Sequence, residues 1–586
     1  MATMPGDDSA AGKLRMALAE GCTAVSAWAE VLDRINVFPV PDGDTGRNLV
    51  LSLAPLRDLA ASDEAVAERL LLSARGNSGN IACAFVRALL GAAGGESLAG
   101  RCVAGAARAR TAVAVPEPGT MLTVLEVLAL AVKAGLGKGE VPALVERLAA
   151  VVRETTAAQE SLRRAEVVDS GALGMLVFLD AALRSYHGLG EAGSGLAASF
   201  QSLVRFDRSQ AAAYGERGFC VDAVVRLAAG RPPPDEELHR IGTEVVALRE
   251  GGLWKIHIHA RDAQAARTAL GEVGEVVAWS WDDLQEQMAE SPMVAGEGDV
   301  HIVTDGAASL SRRAAEGLGV SLLDNYVDLG ERSLPETRLH PDDVYRAMRR
   351  GVRVSTAQAS THERHMHYAR LCAQWKQVLY LCVGSVYTGN YAVATAWRAS
   401  HAAGERLTVL DSGTASGKLA VAVRAAALAA RGGAGLAEVS GFARAALQRA
   451  EEYIFVERLE YLARGGRMSK AGAWFGDALG LAPVVSPFAD GARKIALVRK
   501  RQDRLAYACA QVRRAFAGGA RAGGARAGYV LAEYTDNRAW VESTVLPRLR
   551  EAAPEAEIGV GPLSLTTGAH TGPGTWAVAV LPAAGG

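Results

Sequence analysis

The chain has 586 residues, too many for one hydrophobic core, so about three or four domains are expected. Its composition is that of a folded globular protein, 49% hydrophobic and 22% charged, with a formal charge of −1. Such a balance, without any Lys/Arg-rich run, gives no attraction to a polyanion and excludes nucleic acid as an expected partner.

Met1 to Ala11 lacks the charged and apolar segments of a secretory signal. The richest apolar runs, such as 121–132, are too short or too interrupted to span a bilayer. Seven cysteines, at 22, 83, 102, 220, 372, 382 and 509, form no Cys-x-x-Cys pair. A cytoplasmic protein with reduced cysteines, mostly core filler, is the expectation.

From Leu14 to Ile35 apolar residues recur with helical period, at Leu14, Leu18, Cys22, Val25, Trp28, Leu32 and Ile35. This helix delivers the chain to the stretch Ile35-Asn36-Val37-Phe38-Pro39-Val40-Pro41-Asp42-Gly43-Asp44-Thr45-Gly46-Arg47-Asn48, whose prolines and glycines fix a tight turn carrying two carboxylates. Paired oxygen ligands on a rigid turn suit Mg²⁺, which keeps several waters and binds through one or two carboxylates plus substrate phosphates. A calcium-binding EF-hand is excluded, because the twelfth position from Asp42 is Leu53 where a bidentate Glu belongs. A plain Pro-Asp or Asp-Gly turn stays open on this stretch alone.

Helical patterns continue at 64–72, 80–90, 97–112, 120–134, 141–158 and 171–186, without strand-like alternation. Two glycine-containing turns, Ala74–Asn80 and Val168–Gly174, precede apolar helical segments, with Pro118-Gly119-Thr120-Met121-Leu122 between them. Backbone N–H groups at such helix starts can hold phosphate oxygens. In order and spacing, the four motifs resemble the ATP-binding domain of the dihydroxyacetone kinase superfamily, and in particular the kinase subunit of bacterial fatty-acid kinase, over about residues 10–200. The resemblance implies an all-helical antiparallel barrel over residues 1–195 that binds ATP and Mg²⁺ at one mouth. Asp42, Asp44 and Asn36 would be the catalytic and Mg²⁺-binding set. Thr45, Gly46, Asn48, Gly76, Asn77, Ser78, Gly79, Thr120, Met121, Asp169 and Gly171 would line the nucleotide.

The G-x-G-x-x-G in His187–Gly195 follows a helix and opens no βαβ unit, so it reads as a flexible linker. The run Gly413 to Lys418 is one residue short of a P-loop and has Leu419 where Ser or Thr is needed. Residues 205–292 are expected to form a small α+β middle domain, with strand alternation in Cys220–Val225 and Leu253–His259 around a Pro-rich turn at 232–234. On a strand His257 and His259 share one face, and with Cys220 they form a soft donor set suited to zinc. The alternative is two partly exposed histidines and an unrelated core cysteine. A similar Cys and His-x-His in the middle domain of the fatty-acid kinase subunit favours the metal.

From residue 298 to 586 short apolar runs end in small polar residues, as in Val300–Asp305, Val378–Ser385 and Leu407–Ser412, and alternate with helical stretches. They read as a parallel α/β sheet with a ligand site at the strand ends. The motifs Thr304-Asp305-Gly306, Ser355–Ser360, Val383–Tyr391, Arg464–Ser469 and Gly568–Gly574 resemble in order the DegV-type fatty-acid-binding proteins. That resemblance implies an α/β fold in two lobes and a fatty-acid site of Thr356, Gln358, Thr388, Gly389, Arg467 and His570. The usual Thr-Ser-Gln-Pro-Ser motif stands here as Thr356-Ala357-Gln358-Ala359-Ser360, losing a hydroxyl and the proline. His362, His365 and His367 could suggest a metal, but Ser360-x-x-Glu363 reads as a capping box starting a helix with solvent-facing histidines.

A carboxylic acid titrates near about 4 and needs no general base at neutral pH, so positioning and charge neutralisation suffice for its phosphorylation. Burying its tail is worth about 0.8 kcal/mol per CH₂, roughly 10 kcal/mol for sixteen carbons, so the tail requires a protein tunnel. The expected function is a fused kinase that forms an acyl phosphate on a long-chain fatty acid, working as a homodimer in transient contact with a membrane acyltransferase. Two rivals are a kinase of a small hydroxyketone and a non-catalytic lipid carrier. Nothing here resembles the separate substrate-binding chain of the hydroxyketone kinases, and the intact Asp42/Asp44 turn argues against the carrier.

Overall fold

In the computed structural model residues 9–91, 97–190, 195–204, 218–227, 235–284, 299–464, 482–499, 501–517 and 528–583 are described. The chain divides into two compact units, Met1–Pro292 and Met293–Gly586.

The first unit begins with helices α1 (Ala10–Arg34), α2 (Thr45–Leu53), α3 (Asp63–Ser73), α4 (Gly76–Leu90), α5 (Leu98–Ala112), α6 (Met121–Lys133), α7 (Val141–Ala158), α8 (Glu160–Ala165) and α9 (Ser170–Tyr186). Ser9 caps α1 by accepting the Gly12 N–H, and the stripe Leu14, Leu18, Cys22, Val25, Leu32 is buried. Residues Ser170 to Asp180 of α9 are buried all round, which makes α9 the central helix, and α1 packs along it. Where α2 crosses α1, a Cβ on Gly46 would run into the Ala29 carbonyl, so only glycine permits the approach.

The sheet that follows has the order β2 (Thr243–Glu250), β3 (Leu253–Ala260), β1 (Phe219–Leu227), β4 (Gly274–Asp283), all antiparallel. Its apolar face holds Val221, Ala223, Val225, Trp254, Ile256 and Ile258. The other face of the sheet meets the helices, through Arg47 with Asp282 of β4 (3.2 Å) and Arg87 with Glu250 of β2 (2.6 Å). The edge strand β2 is joined by the segment after α5: Val113 bridges Val246, and the Ala114 N–H donates to the Val245 carbonyl at 3.2 Å.

The second unit is α/β with three sheets. A parallel sheet has the order β11 (Leu407–Asp411), β10 (Gln377–Cys382), β5 (Val300–Asp305), β6 (Val320–Leu323). A mixed sheet has the order β14 (Gly491–Val498), β13 (Ala482–Phe488), β12 (Glu451–Phe455), β17 (Trp576–Pro582), β15 (Gly528–Tyr534), β16 (Glu557–Pro562), in which only β15–β16 is parallel. A small antiparallel sheet has the order β8 (Arg332–Pro335), β7 (Tyr326–Leu329), β9 (Val354–Ala357).

The histidines of helix Thr361–Gln374 require a correction. His367 is 8% exposed and His362 and His365 are both half-buried, because Arg364, His367, Tyr368 and Leu371 fall at helical spacing on the inward face. Ser360 does cap this helix through the Glu363 N–H, while the Glu363 carboxylate is buried and accepts the Tyr326 hydroxyl at 2.8 Å. Among the described residues no helix is long and apolar enough to cross a membrane.

Candidate functional site

The acidic turn is braced by Asn36. Its Nδ2 donates to the Val40 carbonyl (2.8 Å) and to Asp42 Oδ1 (3.1 Å), and its Oδ1 accepts the Thr45 N–H (3.2 Å) and hydroxyl. Two backbone partners of opposite kind fix the amide's orientation, so Asn36 presents nitrogen rather than oxygen to Asp42. This differs from a third ligand oxygen: the residue holds the turn. Ser170 donates to Thr45 Oγ1 at 2.9 Å, and Asp33 accepts the Arg47 N–H at 2.9 Å.

Burial pushes the Asp44 carboxyl well above its ordinary range, and the charge of Asp42 adds to the shift, against Arg47 and the Asn48 side chain. Crowded carboxyls of this kind are what a divalent cation would ionise and hold, so the donor set fits Mg²⁺.

The glycine turns converge beside it. Gly76 opens α4 at φ +59°, with Asn48 Nδ2 pressed against the place where a Cβ would stand. Gly79 lies against Ser52. A Cβ at Gly171 would be 3.2 Å from Ser78 Oγ, 3.3 Å from Asp169 Oδ1 and 3.4 Å from Met121 Cε, which gathers three separated motifs at one point. Asp169 caps α9 by accepting the Ala172 N–H at 2.7 Å, and burial pushes its carboxyl up to about 6. Two residues are engaged elsewhere: Thr120 donates to the Glu117 carbonyl (3.0 Å), and the Asn77 amide reaches Glu244 (3.5 Å).

Cys220, His257 and His259 each offer a ligand atom, all within 4.8 Å of one another, and all three residues are buried. Cys220 stands opposite His259, and Asp222 opposite His257, in the β1–β3 ladder. The buried Nδ1 of His259 has no hydrogen-bond partner, and burial, followed by His257, holds this imidazole down at about 3. Burial raises the Cys220 thiol well above its ordinary value, and Asp222, Asp44, Asp42 and Asp282 raise it further. A neutral imidazole with an orphaned nitrogen, beside a buried thiol, fits a soft divalent metal such as zinc.

Sequence reasoning missed Asp222 and Lys255. Asp222 accepts the Gly76 N–H (3.1 Å), Asn80 Nδ2 (3.3 Å) and Lys255 Nζ (2.9 Å), and lies 3.3 Å from His257 Nδ1. Although burial pushes it up, Lys255 and His257 hold this carboxyl well below the usual range. The available signal was period two: Lys255 shares a face with His257 and His259, and Asp222 shares one with Cys220.

In the second unit Thr356 and His570 are 3.2 Å apart, Oγ1 to Nε2, and Gln358 Nε2 donates to Thr388 Oγ1 at 2.6 Å. Gly389 adjoins Gln358 and precedes the helix Asn390–Ser400. Thr356 lies within β9 rather than beyond its end. The loop 383–390 is held from below by Asp305, fully buried, which accepts from the Tyr380 hydroxyl (2.7 Å), the Val383 N–H (2.8 Å) and Asn390 Nδ2 (2.8 Å) and pairs with Arg364 (3.2 Å). Arg467 lies outside the described residues. In the P-loop-like run the Gly417 and Lys418 N–H groups already donate to Glu452 (3.2 and 2.9 Å), so they hold no phosphate.

These features define a multidomain chain in which a helical unit with an acidic turn and an antiparallel sheet precedes an α/β half with a hydroxyl- and imidazole-lined site. Residues 39–184 match the model of the DAK2 domain, 216–291 that of the FakA-like middle domain of fatty acid kinase, and 299–583 that of the uncharacterised DegV family. A DegV domain-containing protein of Streptomyces coelicolor is 30% identical over 284 residues, which are 48% of this chain and 98% of that protein. The chain belongs to the DegV family through its C-terminal half, and carries the DAK2 and FakA-like middle domains ahead of it.

Protein YloV of Bacillus subtilis is 28% identical over 298 residues, 46% of this chain and 54% of that protein. The chain thus spans about half the length of the curated relatives of this kind that it matches. Among solved structures, DegV of Bacillus subtilis, described as a fatty acid binding protein, is 17% identical with a TM-score of 0.44, covering 49% of this chain and all of that one. A DegV family protein from Thermus thermophilus, described with fatty acid binding, is 23% identical with a TM-score of 0.43, covering 48% and 99%.

Proposed function

We propose that the chain is an ATP-dependent kinase that phosphorylates the carboxylate of a long-chain fatty acid held by its own C-terminal half, giving an acyl phosphate. The observation that carries this reading is the crowding of Asp42 and Asp44 on a braced turn next to the Gly76 and Gly171 turns, in a chain that continues into a DegV half. Asp42 and Asp44 hold Mg²⁺, with Asn36 bracing them. When bound, Mg²⁺ and ATP supply the phosphoryl group and neutralise its charge. Thr45, Gly46, Asn48, Gly76, Ser78, Gly79, Met121, Asp169 and Gly171 surround the nucleotide. Thr356, Thr388, Gln358, Gly389 and His570, with Arg467, hold the head group: a carboxylate leaving water needs donors, since an unpaired buried charge costs several kcal/mol. Cys220, His257 and His259 hold zinc.

In this reading the helices close an antiparallel barrel, the C-terminal half has two lobes, and the domains run 1–195, 205–292 and 298–586. The chain works in the cytoplasm, where its seven cysteines, none in a disulfide, stay reduced. It is a homodimer that hands its product to a membrane acyltransferase.

The test is ATP turnover with Mg²⁺ and oleate or palmitate, trapping acyl phosphate with hydroxylamine. Lipid-dependent turnover with hydroxamate formation is expected, and Asp42→Ala should abolish both while the lipid half stays folded. Turnover without an acyl product, or full activity in Asp42→Ala, would refute the assignment.

A further inference from the structure

The four groups around the Asp222 carboxylate come from two parts of the first unit. Lys255 and His257 belong to β3, whereas the Gly76 N–H and Asn80 side chain belong to the start of α4. Asp222 is 7% exposed, Lys255 3% and His257 1%, so no solvent competes for these contacts. An ionised carboxylate has about four lone-pair sites, and four groups here can donate to them. An amide at this position would offer half the acceptors and turn its own NH₂ against donors.

Each side of this arrangement has a consequence. For His257 to donate from Nδ1 to Asp222, that nitrogen must carry the proton, which leaves Nε2 as the ligating atom toward Cys220 and His259. For α4, the bond from Asp222 to the Gly76 N–H fixes a residue at φ +59°, and Asn80 Nδ2 braces the same turn by donating both to the Gly76 carbonyl (2.8 Å) and to Asp222. The turn that presents backbone N–H groups to a phosphate is therefore shaped by a carboxylate whose other partner is a candidate metal ligand.

We infer that Asp222 is a shared positioning residue that links the Cys220–His257–His259 site to the Gly76 turn, so that metal and nucleotide bind cooperatively. The inference rests on the nucleotide and metal sites proposed above. A metal ion on Nε2 makes the Nδ1–H of His257 a stronger donor. That holds Asp222 in the position that shapes Gly76. Linkage then requires reciprocity: the factor by which metal tightens nucleotide equals the factor by which nucleotide tightens metal.

The probe is Co²⁺, whose thiolate charge-transfer band reports the Cys220 site alone, titrated into metal-stripped full-length chain with and without ADP and Mg²⁺. A fluorescent ADP analogue is titrated in the converse experiment. The parent is expected to show the same shift in both directions, about fivefold or more. Asp222→Asn should weaken Co²⁺ about 10- to 100-fold, as outer-sphere partners of a metal site commonly do, and lose the reciprocal shift. Asp222→Glu, which restores an all-acceptor group, should recover it in part. A thiolate band in the parent whose midpoint ADP does not move overturns the coupling alone. Absence of the band overturns the metal site and the coupling together, and absence of ADP binding overturns the nucleotide site. The parent titrations decide these points even if Asp222→Asn fails to fold.

Discussion

Asp169 shows what a single buried carboxyl costs the first unit. Burial raises its pKa from 3.8 to about 6, against the Ala172 and Gly171 N–H groups. Because the folded value is the higher, its contribution to stability is fully present below 3.8 and is lost as pH rises through about 6. Asparagine caps a helix as well as aspartate and has no proton to lose. Asp169→Asn, compared with the parent by urea unfolding without nucleotide, should therefore gain relative stability across that window, on the order of 3 kcal/mol in full. A constant difference between the two across the window would remove the burial argument.

Residues of the acidic turn were legible in the sequence because proline and glycine fix a turn locally. The role of Asp222 was not, because its partner Gly76 is 146 positions away and one aspartate in an apolar strand names no partner. The direction of the Asn36 amide is not legible either, because it is set by which way the Val40 carbonyl and the Thr45 N–H point once the turn has formed.

At the scale of elements, the contact of α2 with α1 depends on Gly46. Its sequence context suggested the nucleotide, yet the packing against the Ala29 backbone is sufficient to require glycine. Gly46→Ala should destabilise the first unit by about 1–3 kcal/mol, since backbone cannot move aside as a flexible side chain would. Denaturant midpoints measure this, and an unchanged midpoint would mean that α2 shifts freely. Helices α1, α3 to α7 and α9 and the parallel strands β5, β10 and β11 were readable from periodicity and apolar runs, whereas the short α2 and α8 were not. The inward face of Thr361–Gln374 was not, because arginine, histidine and tyrosine at its buried positions disguise the amphipathic pattern.

At the scale of the molecule, two compact units divide between residues 292 and 293 in the sequence, each with cores of its own. Residues 293–586 produced alone should fold and retain co-purifying fatty acid, detected by mass spectrometry, and Thr356→Ala or His570→Ala in that half should lose it. Retention of lipid at the parent level in both variants would put the head-group site elsewhere.

The bridge between Val113 and Val246 bears on how the first unit can be divided. It shields the outer rim of β2, whose backbone groups would otherwise lie open along a strand with Val245, Val246 and Leu248 beside them. A fragment limited to residues 218–284 would lose that cover and recruit the same strand from another copy. It should accumulate as thioflavin-binding aggregates, whereas the chain from residue 9 to 284 should stay monodisperse under the same conditions.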